Sequence, residues 1–202
     1  MIKPSRIIDK LRSGTPVTIA AIGDSLTAGW MVRKGYIDFF KAMLQKQYPQ
    51  NRINIIARGV PGDTADSGAY RLKWDILEYR PDCVLIQYGI NDAFMGFTTG
   101  QFRGYIRKII EDIKADPEAD VILLTSSYIG DNEENGFVEE FYQQLIELGA
   151  EFNLPVSLTH RYWKDKIDNG ETDFLSLVQY DMVHPTELGY RLMAEALMLL
   201  FE

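Results

Sequence analysis

The 202-residue chain contains one cysteine and two histidines, so an internal disulfide and a thiolate metal cluster are both excluded. Cys83 lies in the apolar run DCVLIQY, where a buried, inert thiol is expected. No apolar run approaches the roughly 20 residues that span a bilayer, so no transmembrane segment is expected. The N-terminal stretch MIKPSRIIDKLRSG lacks the unbroken apolar core and small-residue cleavage site of a signal peptide. A cytoplasmic location is the resulting expectation, with a secreted protein trimmed before its mature start as the alternative. An excess of basic residues is also missing: the formal net charge is -8. That balance argues against nucleic acid or an anionic membrane as the main partner. There is no internal repeat, low-complexity tract or Pro/Gly/Ser-rich linker, and a single domain over residues 1–202 is expected.

What is present is an alternation of short apolar runs with longer amphipathic ones. The runs at 17–22, 53–57, 83–87, 121–125 and, more weakly, 154–158 are continuous rather than alternating, as strands buried on both faces should be. Helical stretches are expected at 34–48, 65–79, 101–116, 134–152 and 186–201. In the third of these, Phe102, Ile106, Ile109, Ile110 and Ile113 follow the 3.6-residue period. Pro49, Pro81, Pro117 and Pro155 fall in the breaks, where a missing N–H does least harm. Strand–helix alternation along the chain predicts an α/β fold, a parallel sheet of about five strands covered by helices on both faces. Ligands of such sheets bind beyond the carboxyl ends of the strands.

Four chemically marked segments satisfy that placement. Gly23-Asp24-Ser25-Leu26 follows the first strand, and Gly59-Val60-Pro61-Gly62-Asp63-Thr64 follows the second. Gly89-Ile90-Asn91-Asp92 follows the third, and Asp181-Met182-Val183-His184-Pro185 precedes the last helix. A serine hydroxyl becomes a useful nucleophile when an imidazole takes its proton. Ser25 on a strand-to-helix turn is expected to be exposed there, with its own N–H facing developing negative charge. Gly62, lacking a Cβ, lets its N–H approach a substrate oxygen, and Asn91 offers a carboxamide donor to the same oxygen. Asp181, three residues before His184, is placed to bond Nδ1–H and leave Nε2 free as base.

These four blocks, in this order over about residues 17–201, resemble the SGNH hydrolase superfamily, the GDSL esterases and lipases. The resemblance implies a three-layer α/β/α sandwich with a flavodoxin-like, doubly wound parallel sheet. It implies Ser25, Gly62, Asn91 and His184 as the name-giving residues, Asp181 as third member of a triad, and no cofactor or metal. Ser25, Gly62 and Asn91 would form the oxyanion hole of a serine esterase acting on a small-molecule ester. An α/β-hydrolase also runs Ser, Asp, His along its chain, but its elbow is Gly-x-Ser-x-Gly. Thr27 stands where that second glycine belongs.

Each residue also has a plainer reading. Ser25 can cap a helix, His184 can be an ordinary loop histidine, and Gly62 and Asn91 can be turn residues. His160, in LTHRYW, has no acid at a matching offset and reads as structural or surface. Asp24, Asp63 and Asp92 are able to hold Mg²⁺, or to bond loop N–H groups and support the site; the resemblance favours support. Lys108 with Asp112 reads as a solvated helix pair. Substrate choice is expected in the loops 30–35, 93–100, 126–137 and 170–180, with Trp30, Phe94, Met95 and Phe97 as candidate pocket residues. The acidic run DNEEN at 131–135 disfavours an anionic substrate. A short-chain acyl or acetyl ester is preferred because no long greasy lid segment is visible. Lipid esters and thioesters are the runners-up. A Mg²⁺-dependent phosphoryl-transfer domain and a non-catalytic binding module on the same fold are the alternatives from other classes.

Overall fold

The computed structural model describes residues 2–115, 118–130 and 133–202. The chain opens with helix α1 (Ser5–Arg12), strand β1 (Val17–Gly23), the single turn α2 (Ser25–Ala28) and α3 (Tyr36–Gln47). Next come β2 (Ile53–Gly59), α4 (Ala65–Asp75), β3 (Cys83–Gln87), the short α5 (Ile90–Phe94) and α6 (Thr99–Lys114). The second half holds β4 (Asp120–Leu124), α7 (Glu133–Phe152), β5 (Val156–Ser157), α8 (Thr159–Asp168), α9 (Phe174–Leu177) and α10 (Glu187–Met198). The five strands form one parallel sheet in the order β2-β1-β3-β4-β5. Helices α3, α8 and α10 pack together, as do α4, α6 and α7, giving the helical layers on the two faces. This is the expected doubly wound sandwich. Its winding reverses between β1 and β3, where such sheets bind ligands.

Burial follows position in the sheet. Every residue of β3 is buried, whereas β2, an edge strand, leaves Ile55 and Ile56 half-buried. The run at 53–57 is therefore not sandwiched on both faces as its apolar character suggested. The run at 154–158 shrinks to two paired residues. The Leu154 N–H closes the end of α7 on the Gly149 carbonyl at 2.7 Å, and Thr159 already begins α8. The helix expected over 65–79 stops at Asp75, and a 3₁₀ turn, Leu77–Tyr79, completes the path to Pro81.

Sequence periodicity missed five helices. Three of them, α2, α5 and α9, span five residues or fewer, too short to display a repeating apolar stripe, and the eight-residue α1 carries a single such repeat, burying Ile7, Ile8 and Leu11. The fifth, α8, hides its pattern among charged residues and buries only Thr159, His160 and Trp163. Helix α6 starts at Thr99, two residues earlier than periodicity suggests, because Thr98 and Gln101 form a reciprocal capping box. Pro117, the end of the stretch expected over 101–116, and the first two residues of the acidic run at 131–135 lie outside the described residues. Glu133–Asn135, the rest of that run, begin α7. Cys83 is fully buried, and burial pushes its thiol well above the ordinary range. Lys108 and Asp112 pair at 2.8 Å on an exposed face, as the sequence suggested. No helix among the described residues is long and apolar enough to cross a membrane.

Candidate active site

Residue 25 begins α2, two residues after β1 ends at Gly23. Asp24 is the cap of that turn, accepting the Leu26 N–H on Oδ1 at 2.8 Å, so Ser25 is not the cap but the first helical residue. Its side chain is not on open display as expected; the residue is only 5% exposed. It is covered by the chain segment leading into α10. There His184 Nε2 lies 2.8 Å from Ser25 Oγ, and His184 Nδ1 lies 2.7 Å from Asp181 Oδ2. The tautomer with its proton on Nδ1 donates to Asp181 and leaves Nε2 to accept the serine hydroxyl proton.

The acid is held by the same short loop. Asp181 Oδ1 accepts the backbone N–H groups of Val183 at 3.0 Å and His184 at 2.9 Å. Partial burial raises this carboxyl, but the backbone bonds and the imidazole outweigh it and hold Asp181 below the ordinary carboxylate range. Gln179 clamps the loop from outside. Its N–H donates to the His184 carbonyl at 2.7 Å, and its amide donates to the carbonyls of Trp30 and Pro185.

Gly62 sits in the turn after β2 at φ +79°, a backbone state that favours glycine, with open space where a Cβ would stand. No acceptor among the described residues takes its N–H. Asn91 lies in α5, and its amide donates to the Asp63 carbonyl at 2.9 Å, which leaves one amide hydrogen for another acceptor. The ends of β1, β2 and β3 thus bring Ser25, Gly62 and Asn91 to one edge of the sheet. His184 closes the group from the α10 side.

The three aspartates of the motif blocks, Asp24, Asp63 and Asp92, are occupied structurally. Asp92 accepts the Ala65 N–H at 2.8 Å and the Gly89 N–H at 3.1 Å, joining the turns after β2 and β3. Burial raises its carboxyl to about 6 despite those bonds. Asp24 is also pushed up, to about 7, by burial first, against bonds from Leu26 and Gln87. Asp63 binds the guanidinium of Arg71 and the hydroxyl of Tyr88. Among the described residues no group of three or more His, Cys, Asp or Glu is arranged to hold a metal ion.

Several contributors carried no sequence signal. Gln87, fully buried at the end of β3, donates to Asp24 and to Ser126 Oγ at 2.7 Å and accepts from Thr27 at 2.8 Å. Its position at the carboxyl end of a central strand was the only clue available. His160 takes the structural reading: it is buried, bonds Thr125 Oγ1 through Nδ1 at 2.8 Å and rests on Tyr142, and burial lowers it to about 3. Of the candidate pocket residues, Trp30 places its ring 6.0 Å from the His184 ring. Phe94 and Met95 are exposed on and just after α5. Phe97 instead packs edge-on against Tyr105 and the core.

Comparison with known proteins identifies the family to which the chain belongs. Residues 21–192 match the model of the GDSL-like lipase/acylhydrolase family. An acetylxylan esterase of Geobacillus stearothermophilus is 22% identical over 92% of this chain and 94% of its own, and its crystal structure superposes with a TM-score of 0.82. Thioesterase 1/protease 1/lysophospholipase L1 of Escherichia coli K12 is 28% identical over 72% of this chain and 67% of its own. An arylesterase of Vibrio mimicus is 31% identical over 52% of each chain.

Proposed function

Given that the chain belongs to the GDSL-like lipase/acylhydrolase family and is an ester-cleaving serine hydrolase, we propose that Ser25 is its nucleophile, His184 its base, and a short acyl group its preferred cargo. The observation that carries the assignment is the continuous relay Ser25 Oγ, His184 Nε2, His184 Nδ1, Asp181 Oδ2, with links of 2.8 and 2.7 Å.

In the reaction, Ser25 Oγ attacks the ester carbonyl carbon while Nε2 takes the hydroxyl proton. The carbonyl oxygen becomes an oxyanion held by the N–H groups of Ser25 and Gly62 and the free amide hydrogen of Asn91. Asp181 stabilises the imidazolium that forms. The tetrahedral intermediate collapses, the C–O bond to the alcohol breaks, and His184 protonates the departing oxygen. Water then attacks the acyl-serine carbonyl, giving up a proton to Nε2, and the carboxylic acid leaves as Ser25 regains its hydrogen.

Support for a short acyl group comes from two sides. The relative matching nearly the full length of both chains is named an acetylxylan esterase. In addition Phe97, the deepest candidate for a long-chain pocket, is spent on packing against Tyr105. Ser25→Ala is expected to abolish both ester turnover and labelling by a fluorophosphonate probe. A series of p-nitrophenyl esters from acetate to palmitate is expected to peak at acetate or butyrate. Retained turnover in Ser25→Ala overturns the site. A peak at palmitate instead assigns the exposed Phe94 and Met95 to a lipid chain.

A further inference from the structure

One guanidinium touches the last residue of β1 and the segments that follow β2 and β3, the three stretches that lead to the oxyanion donors. Arg71, on α4, donates through Nη2 to the Gly23 carbonyl at 3.0 Å, two residues before Ser25. Through Nε and Nη2 it holds Asp63 Oδ2 at 2.8 and 2.6 Å, immediately after Gly62. Nη2 also meets the Tyr88 hydroxyl at 3.0 Å, three residues before Asn91, and that hydroxyl donates in turn to Asp63 at 2.9 Å. Nη1 is anchored to Asp75 Oδ2 at 2.8 Å, one turn along α4. The side chain is largely shielded from solvent, at 15% exposed.

The consequence runs through Asp63. Its carboxylate is fixed by Arg71, while its own carbonyl accepts the Asn91 amide and so sets which way that amide hydrogen points. Its N–H returns to the Val60 carbonyl at 3.0 Å, which closes the turn presenting Gly62. A shift of Asp63 therefore moves two donors together, and a shift of Arg71 moves Gly23 as well. We propose that Arg71 is the positioning residue that sets the spacing of the three oxyanion donors, an inference that rests on the oxyanion-hole reading above. Arginine suits the task because its planar fork reaches several acceptors in fixed directions; lysine offers one point charge on a flexible stem. Arg71 touches neither His184 nor Asp181, so proton transfer should be preserved when it is changed.

The test is Arg71→Lys in the full chain, assayed with p-nitrophenyl acetate and with phenylboronic acid, whose serine adduct places an oxygen where the oxyanion develops. A displacement near 1 Å at a catalytic group costs about 10²-fold in rate. The expected result is a kcat lowered by about that factor, a KM within about twofold, boronate inhibition weakened in parallel, and an unaltered pH profile. If Arg71→Lys fails to fold by circular dichroism, Asp63→Asn replaces it and the same signature is expected. A folded variant with kcat within about threefold of wild type overturns the inference, as does a kcat loss with boronate affinity unchanged. Ser25→Ala, run alongside, separates the two levels. Turnover surviving there removes the whole site, whereas its loss together with an unaffected Arg71→Lys removes only the role of Arg71.

Discussion

Asp24 is a carboxyl placed one residue before Ser25 and almost sealed from water, at 1% exposed. Removal from solvent disfavours its charged form, and the neighbouring Asp92 and Asp63 push in the same direction. The bonds from Leu26 and Gln87 oppose this without cancelling it, leaving the group at about 7 against an ordinary 3.8. Between those two values the folded chain keeps a proton that the unfolded chain has already lost. Stability contributed by Asp24 is thus fully present at low pH and is lost as pH rises through about 7. At roughly 1.4 kcal/mol per pH unit, the ionised carboxylate costs folding about 4 kcal/mol. Asn at this position still caps α2 but carries no charge. Urea unfolding of wild type and Asp24→Asn, measured at intervals from pH 5 to pH 8, isolates the effect because all other titrations largely cancel in the difference. Wild type should lose about 3 kcal/mol relative to Asp24→Asn across that range, with the difference levelling off above pH 7. A difference that stays flat, or one in which wild type gains on the variant as pH rises, refutes the account of Asp24 as a desolvated acid.

Asp181→Asn keeps the loop's size but no longer stabilises the imidazolium or enforces the Nδ1–H tautomer, so kcat for p-nitrophenyl acetate should fall by about 10⁴-fold with little change in the unfolding midpoint. Gly59→Ala would place a methyl against the Ala28 nitrogen and 2.7 Å from the Asp24 carbonyl, both backbone atoms at the turn that carries Ser25. Because backbone cannot swing aside, that variant should lose about 1–3 kcal/mol in denaturant titration and also turn over more slowly, since the strain falls on Ser25. Unchanged kinetics in Gly59→Ala would show that the turn tolerates the displacement.

The layered parallel sheet was legible because buried strands and amphipathic helices leave their periods in the chain, as in 83–87 and 101–114. Ser25, Gly62, Asn91, Asp181 and His184 were legible for a related reason. Each sits at a fixed offset from the end of a strand or the start of a helix, so local structure alone predicts that they converge. The choice between the two histidines also followed from local spacing: Asp181 stands three residues before His184, and nothing comparable flanks His160.

What tertiary structure decided is everything that depends on partners distant in the chain. The order β2-β1-β3-β4-β5 made β2 an edge and put the winding reversal beside Ser25, and no run of residues encodes its neighbour. Gln87, Arg71 and Tyr88 became parts of the site's frame only because three strand ends meet there. Phe94, Met95 and Phe97 lie within four consecutive residues at and after the end of α5 and share one apolar character, yet two face solvent and one packs inward. The burial of Ser25 was settled the same way, by a loop 159 positions further along that closes over it. Local sequence determines the chemistry each residue brings, through its side chain and backbone period. The long-range path of the chain determines which of those groups meet and how far they are removed from water.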